Sequence, residues 1–227
     1  MSRFSGVIGE EYVLFEKAVP YIVEFESKIH ETLGADFEGN VLEIGCGNGF
    51  TTARIIDFCK NLKITCVDNE KKMTEQFCKN FKKEISEGKI NLVFGDALEI
   101  INKIESKKFD AVVSALTIHN FDKEYRHDFL KEVFRILKKR GLFINADKYA
   151  HDDTREHERA IKWQWQKYAE VFDKKLAEEW IKHDKEDEKS EKIMKEPESI
   201  LALKNIGFSE IKIIYRKNMH AVIKAKK

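Results

Sequence analysis

The chain has 227 residues, enough to bury the core of one large α/β domain with a small cap and too few for two independent folds. Forty-one lysines and arginines stand against 40 acidic residues, leaving a formal charge of +1 and no global field that would draw the chain to nucleic acid. The cysteines, at 46, 59, 66 and 78, form no Cys-x-x-Cys pair, which argues against a disulfide framework or zinc knuckle. Without a signal-peptide pattern or an apolar run of about 18 residues, a cytoplasmic protein with no membrane partner is expected.

In chain order, Phe4 to Leu33 carries an apolar helical face through Tyr12, Phe15, Val19, Ile22 and Phe25. Val41-Leu42-Glu43-Ile44 then reads as a buried strand running straight into Gly45-Cys46-Gly47-Asn48-Gly49. Glycines there permit positive φ and close approach of main chain to a ligand, and the helix that follows, Phe50 to Lys60, starts with its free amides facing the crevice. This is the form of a nucleoside-cofactor site. A dinucleotide fingerprint needs its third glycine at position 50, where this chain has Phe50; here it comes one residue early, at Gly49.

Lys63 to Asp68 is a second strand, ending in a carboxylate nineteen residues after Gly49, where ribose hydroxyls need an acceptor pair. The spacing of Met73, Phe77 and Phe81 predicts one helix over 70–84, and Asn91 to Ala97 repeats the strand-then-acid form with Asp96. Phe109 to Leu116 is a fourth strand. A periodic helix over 122–139 follows, with Gly141 as its C-cap and 141–147 as the fifth strand. The alternation implies right-handed crossovers and a parallel sheet covered on both faces. Residues 152–183 read as one amphipathic helix, continuous or broken, and 182–195, mostly charged, as a segment that frays or forms an exposed hinge. Pro197 opens a helix that ends at Gly207, and 211–216 with 220–225 form a closing hairpin.

The glycine turn at 45–49, with Asp68 and Asp96 after the next two strands, resembles motif I and its partners in the class I S-adenosylmethionine-dependent methyltransferases. The resemblance runs from about residue 36 to the C-terminus. It implies a Rossmann-like, doubly wound, seven-stranded sheet, mostly parallel with an antiparallel last strand, plus a helical lid. The expected organisation is an N-terminal helical lid (1–35), a cofactor-binding core (36–150), a helical cap (151–196) and a final helix with hairpin (197–227).

The same resemblance implies S-adenosylmethionine as cofactor. Gly45, Cys46, Gly47 and Gly49 would face its methionine part, with Glu43 acting through its carboxylate or by ordering the loop. Asp68 would hold the ribose, Asn69 and Met73 would pack near the adenosine, Asp96 and Ala97 would contact adenine, and Ser114 would close the pocket floor. After the fourth strand, Ser114 to Phe121 is similar to the Ala-Leu-x-x-His-His loops of small-molecule methyltransferases, with Asn120 at the second histidine position. His119 is the candidate proton acceptor, or else a structural histidine ordering the loop. Tyr12, Asn120, Asp147, His151, Trp165 and Tyr168 are candidates for an acceptor pocket, with ordinary core packing the alternative for the aromatics. His119, Asp147 and His151 could together offer metal donors, but their spacings are unrelated and no metal is expected.

The expectation is a methyltransferase acting on a small molecule as a monomer or homodimer, with no nucleic-acid partner. An RNA methyltransferase and a non-catalytic cofactor-binding protein are the alternatives.

Overall fold

The computed structural model describes residues 14–227. Seven strands form one sheet: β1 (Gly39–Ile44), β2 (Leu62–Asp68), β3 (Ile90–Phe94), β4 (Phe109–Ala115), β5 (Leu137–Lys148), β6 (Ser209–Lys217) and β7 (His220–Lys226), in the order β3-β2-β1-β4-β5-β7-β6. β1 to β5 pair in parallel, and β7 runs antiparallel to both of its neighbours, β5 and β6. This is the expected doubly wound sheet with its antiparallel last strand. The strand order turns back between β1 and β4, and in open α/β sheets the crevice outside the carboxyl ends at that point is where ligands bind.

Strands covered on both faces read as continuous apolar runs, as Val41-Leu42 and Val112-Val113 do. Successive side chains point to opposite faces, so Val41 belongs to one hydrophobic core and Leu42 to the other. The first core lies under α1 (Phe15–Ala18), α2 (Ile22–Leu33) and α3 (Phe50–Phe58). The second lies under α6 (Ala97–Asn102), α7 (Lys123–Ile136) and α10 (Glu196–Ile206).

Three expectations need correction, and the helix expected over 152–183 takes its broken form. The helix over 70–84 is two, α4 (Lys71–Asn80) and α5 (Lys82–Ser86), because the chain leaves helical geometry at Phe81, whose ring packs against Phe77 and the glycine turn. Gly141 is not a helix cap: α7 ends at Ile136, and the β4–β5 register shifts between Phe109 and Ala111 while Arg140 takes the positive φ. Gly141 lies inside this irregular stretch of β5, where a Cβ would come 2.9 Å from the Lys138 carbonyl oxygen.

The cap is two helices, α8 (Thr154–Val171) and α9 (Lys174–Asp187), separated where Phe172 turns inward onto Tyr168 and Trp180 and Asp173 accepts from the Leu176 amide as N-cap. Residues 182–187, expected in an exposed hinge, complete α9 and bury His183, Asp184 and Asp187. Composition misled here because these charges are paired inward with Lys148 and His119. The cap joins the N-terminal helix through one aromatic cluster, with Phe15 stacked on Trp180 at 4.9 Å between centroids.

Candidate active site

At the carboxyl ends of β1, β2 and β4 lies a cavity of about 400 Å³, within the range of small-molecule sites. Backbone forms much of its wall. Gly47 has φ +53°, and a Cβ built on it meets nothing within 4 Å, so a ligand can come against the main chain there. Gly49 is glycine for packing: at φ +93° its Cβ would sit 2.0 Å from the Phe81 ring.

Asp68 ends β2 with Oδ2 accepting from the Gly47 amide at 2.8 Å and Oδ1 from the Glu70 amide at 2.8 Å. Burial raises its carboxyl above the usual range although these amides favour the ionised form. Asp96 follows β3 and caps α6, its Oδ1 accepting from the Leu98 and Glu99 amides at 3.0 Å each and from the Tyr125 hydroxyl at 2.8 Å. Two buried oxygens in the lining, Glu26 Oε2 and Asn120 Oδ1, have no hydrogen-bond partner among the described residues. Such orphaned acceptors suit a site that donates from a bound ligand. Burial pushes the Glu26 carboxyl up to about 8, against the opposing pull of Arg54.

Of the expected cofactor residues, Gly45, Cys46, Gly47, Asp68, Asn69, Met73, Asp96 and Ala97 line the cavity. Glu43, Gly49 and Ser114 stand behind it. Glu43 is buried, accepts from Thr52 Oγ1 at 2.6 Å and is pushed up to about 7 by desolvation; Ser114 donates to the Ile44 carbonyl at 3.1 Å. Both tie β1 to its neighbours.

The loop after β4 divides. Asn120 and Thr117 face the cavity, whereas the His119 imidazole faces a second, smaller cavity between the ends of β4 and β5 and α9. There Asp147 Oδ1 lies 2.5 Å from His119 Nδ1, and Asp147 Oδ2 accepts from the His119 amide at 3.2 Å. His151 lies apart, 3.6 Å from Glu156, so the trio His119, Asp147 and His151 does not converge. Tyr168 is fully buried in the cap's aromatic cluster, and Trp165 packs against the first core with the Lys185 ammonium 5.3 Å from its ring centroid. Neither lines either of these two cavities, and Tyr12 lies outside the described residues. Glu26 and Tyr125 were not anticipated as wall residues. Each projects from a helix face, where nothing in the local sequence separates a cavity-facing polar group from a solvated one.

Residues 41–141 match the family model of a methyltransferase domain. That span runs from β1 into β5 and contains Asp68, Asp96 and the glycine turn. Over those 101 of 227 residues the core is similar to a methyltransferase domain. A demethylmenaquinone methyltransferase of Leptospira interrogans is 31% identical over 114 residues, 49% of this chain and 45% of that one. A malonyl-[acyl-carrier protein] O-methyltransferase of Priestia megaterium is 32% identical over 104 residues, 46% and 35% of the two chains. The chain spans about half the length, or less, of these curated relatives. The solved structure of a Methanococcus maripaludis protein described as an S-adenosyl-L-methionine-dependent methyltransferase superposes over 100% of this chain and 95% of that one, with a TM-score of 0.67 at 20% identity. At that identity the likeness speaks for the fold alone. The shared fold includes the helices after β5 and the closing hairpin.

Proposed function

We propose that the protein transfers the methyl group of S-adenosylmethionine to a small-molecule acceptor. The observation that carries this reading is the cavity at the turning point of the strand order, walled by the open backbone at Gly47 and by the carboxylates of Asp68 and Asp96. When bound, the cofactor supplies an electrophilic methyl on a sulfonium. The chain binds and orients: Gly45 to Gly47 against the methionine part, Asp68 on the ribose hydroxyls, Met73 and Asn69 beside the adenosine, Asp96 and Ala97 at adenine. Glu26 and Asn120 bring their unpartnered oxygens to ligand donors.

In-line placement of acceptor and methyl in a water-poor site supplies much of the acceleration. The reading assigns His119 no proton transfer, because its imidazole faces the other cavity. The matched relatives act, by their names, on a demethylmenaquinone and on malonyl-[acyl-carrier protein], which supports a small or carrier-borne organic acceptor. The near-balanced charge argues against a polyanion. Among the described residues no helix is long and apolar enough to cross a membrane. The reading makes the protein a cytoplasmic enzyme, monomeric or homodimeric.

Calorimetry with S-adenosylhomocysteine, followed by a metabolite screen for methyl transfer, tests the proposal. Micromolar binding and turnover of one acceptor class are expected. Absence of cofactor binding would overturn it.

A further inference from the structure

We propose that His119, His183 and Asp187 form a divalent transition-metal site that pins cap helix α9 to the carboxyl edge of the sheet. One donor atom from each residue lies within 4.8 Å of the other two, and all three residues are buried. Asp187 Oδ2 is 3.5 Å from His119 Nε2 and 3.8 Å from His183 Nε2. Nitrogen and oxygen donors about 2.0–2.2 Å from a tetrahedral metal sit roughly 3.4 Å apart, so shifts under about 1 Å per donor would close the site.

Three further observations point to a cation. First, His119 Nε2 is buried with no hydrogen-bond partner among the described residues, although a buried imidazole nitrogen ordinarily finds one. Its other nitrogen is held by Asp147, which also accepts from the Lys148 amide at 2.9 Å; this is the carboxylate–histidine arrangement that orients metal-binding imidazoles. Second, His183 and Asp187 are four apart on α9 and so share one helix face.

Third, among the described residues the carboxylates of Asp147, Asp184 and Asp187 are buried close together, with the Lys148 ammonium 2.7 Å from Asp184 Oδ1 and 3.2 Å from Asp187 Oδ2, an acidic setting that favours a cation. The adjoining cavity, about 20 Å³, has room for one water-sized group, enough to fill a fourth coordination position. Two imidazoles and a carboxylate with an open position suit zinc, cobalt or ferrous iron better than magnesium or calcium. Part-exposed Glu188 stands at the solvent edge of the cavity and offers a route in.

The rival account holds the three side chains by hydrogen bonds and ion pairs alone and predicts no metal binding. Chelator-treated full-length protein is titrated with Co²⁺ and then Zn²⁺, read by calorimetry and by the visible absorption of bound Co²⁺. Near-ultraviolet circular dichroism establishes that each variant is folded. The expected result is one equivalent bound, weakened about 100-fold or more in His183→Gln and in His119→Ala, and by about 10- to 100-fold in Asp147→Asn. No stoichiometric binding by the wild-type chain, or unchanged binding in a folded His119→Ala/His183→Gln variant, would overturn the proposal. Neither outcome depends on whether the protein binds a cofactor or turns over a substrate.

Discussion

Around the cofactor cavity the acids are held by main chain, Asp68 by the amides of Gly47 and Glu70 and Asp96 by those of Leu98 and Glu99, and the space between them is open. In the neighbouring polar pocket side chains carry more of the hold: Asp184 and Asp187 on Lys148, and Asp147 on the His119 imidazole besides the His119 and Lys148 amides. Backbone amides persist through most side-chain substitutions, and they fix the carboxylates while leaving lone pairs for a ligand. Side-chain pairs are expensive to break in a buried setting and leave their partners stranded. The first region is therefore built for binding and the second for holding elements together.

The sharpest way to break this contrast is at Lys148, which is 10% exposed at its side chain and lies between two buried carboxylates. Burial opposes the ammonium, but Asp184 and Asp187 hold its pKa above the usual lysine range. Lys148→Met strands both acids, and a loss of about 3–5 kcal/mol in denaturant-derived stability is expected. A loss below about 1 kcal/mol would mean that water reaches the pocket and the pair is screened. Added Zn²⁺ should recover part of the loss if the site beside it binds metal.

On the cofactor side the largest structural effect belongs to Gly49→Ala. A Cβ there meets the Phe81 ring at 2.0 Å, and φ is +93°, so strain and overpacking together should destabilise by about 2–4 kcal/mol in thermal or urea unfolding. Gly47→Ala, where φ is +53° but a Cβ meets nothing, should cost only the backbone strain of about 1 kcal/mol and instead weaken the cofactor. Asp68→Ala should weaken S-adenosylhomocysteine about 100-fold by calorimetry, roughly 2.7 kcal/mol, while leaving metal affinity in the neighbouring pocket unchanged. Parallel loss of both would merge the two regions into one site.

How far each region could be read beforehand follows from how it is assembled. The strand, glycine turn and Asp68 sit in short segments whose spacing is set by the βαβ unit, so most of the wall was legible. The sheet was legible too, since Val41-Leu42 and Val112-Val113 carry the signature of doubly covered strands. The polar pocket draws on positions 119, 147, 148, 183, 184 and 187, brought together only by the return of α9 over β5. Its one local signal was the four-residue spacing of His183 and Asp187, hidden in a run whose charge density suggested solvent. Glu43 and Ser114 show the converse. They occupy the expected positions and serve the site by tying β1 to α3 and to β4 behind its wall.

The smallest predicted effect tests whether the cavity wall is as dry as its orphaned oxygen suggests. Burial pushes the Glu26 carboxyl from its ordinary 4.5 up to about 8 in the folded chain; Arg54 lowers it, and Glu43 and Glu16 raise it. Between these values the folded protein holds a proton that the unfolded chain has released, so stability falls as pH rises. The contribution is fully present below pH 4.5 and is lost by about pH 8. Over the 1.5 units from about pH 5.5 to 7.0, one such group changes stability by roughly 2 kcal/mol at about 1.4 kcal/mol per unit. Glu43, pushed up to about 7, adds a slope of the same sign, so the comparison must be with a variant that keeps it. Glu26→Gln retains a neutral group of the same shape and should flatten the urea-derived slope by that amount. Equal slopes in the two proteins would show that the Glu26 carboxylate ionises at an ordinary pH and that water reaches this part of the wall.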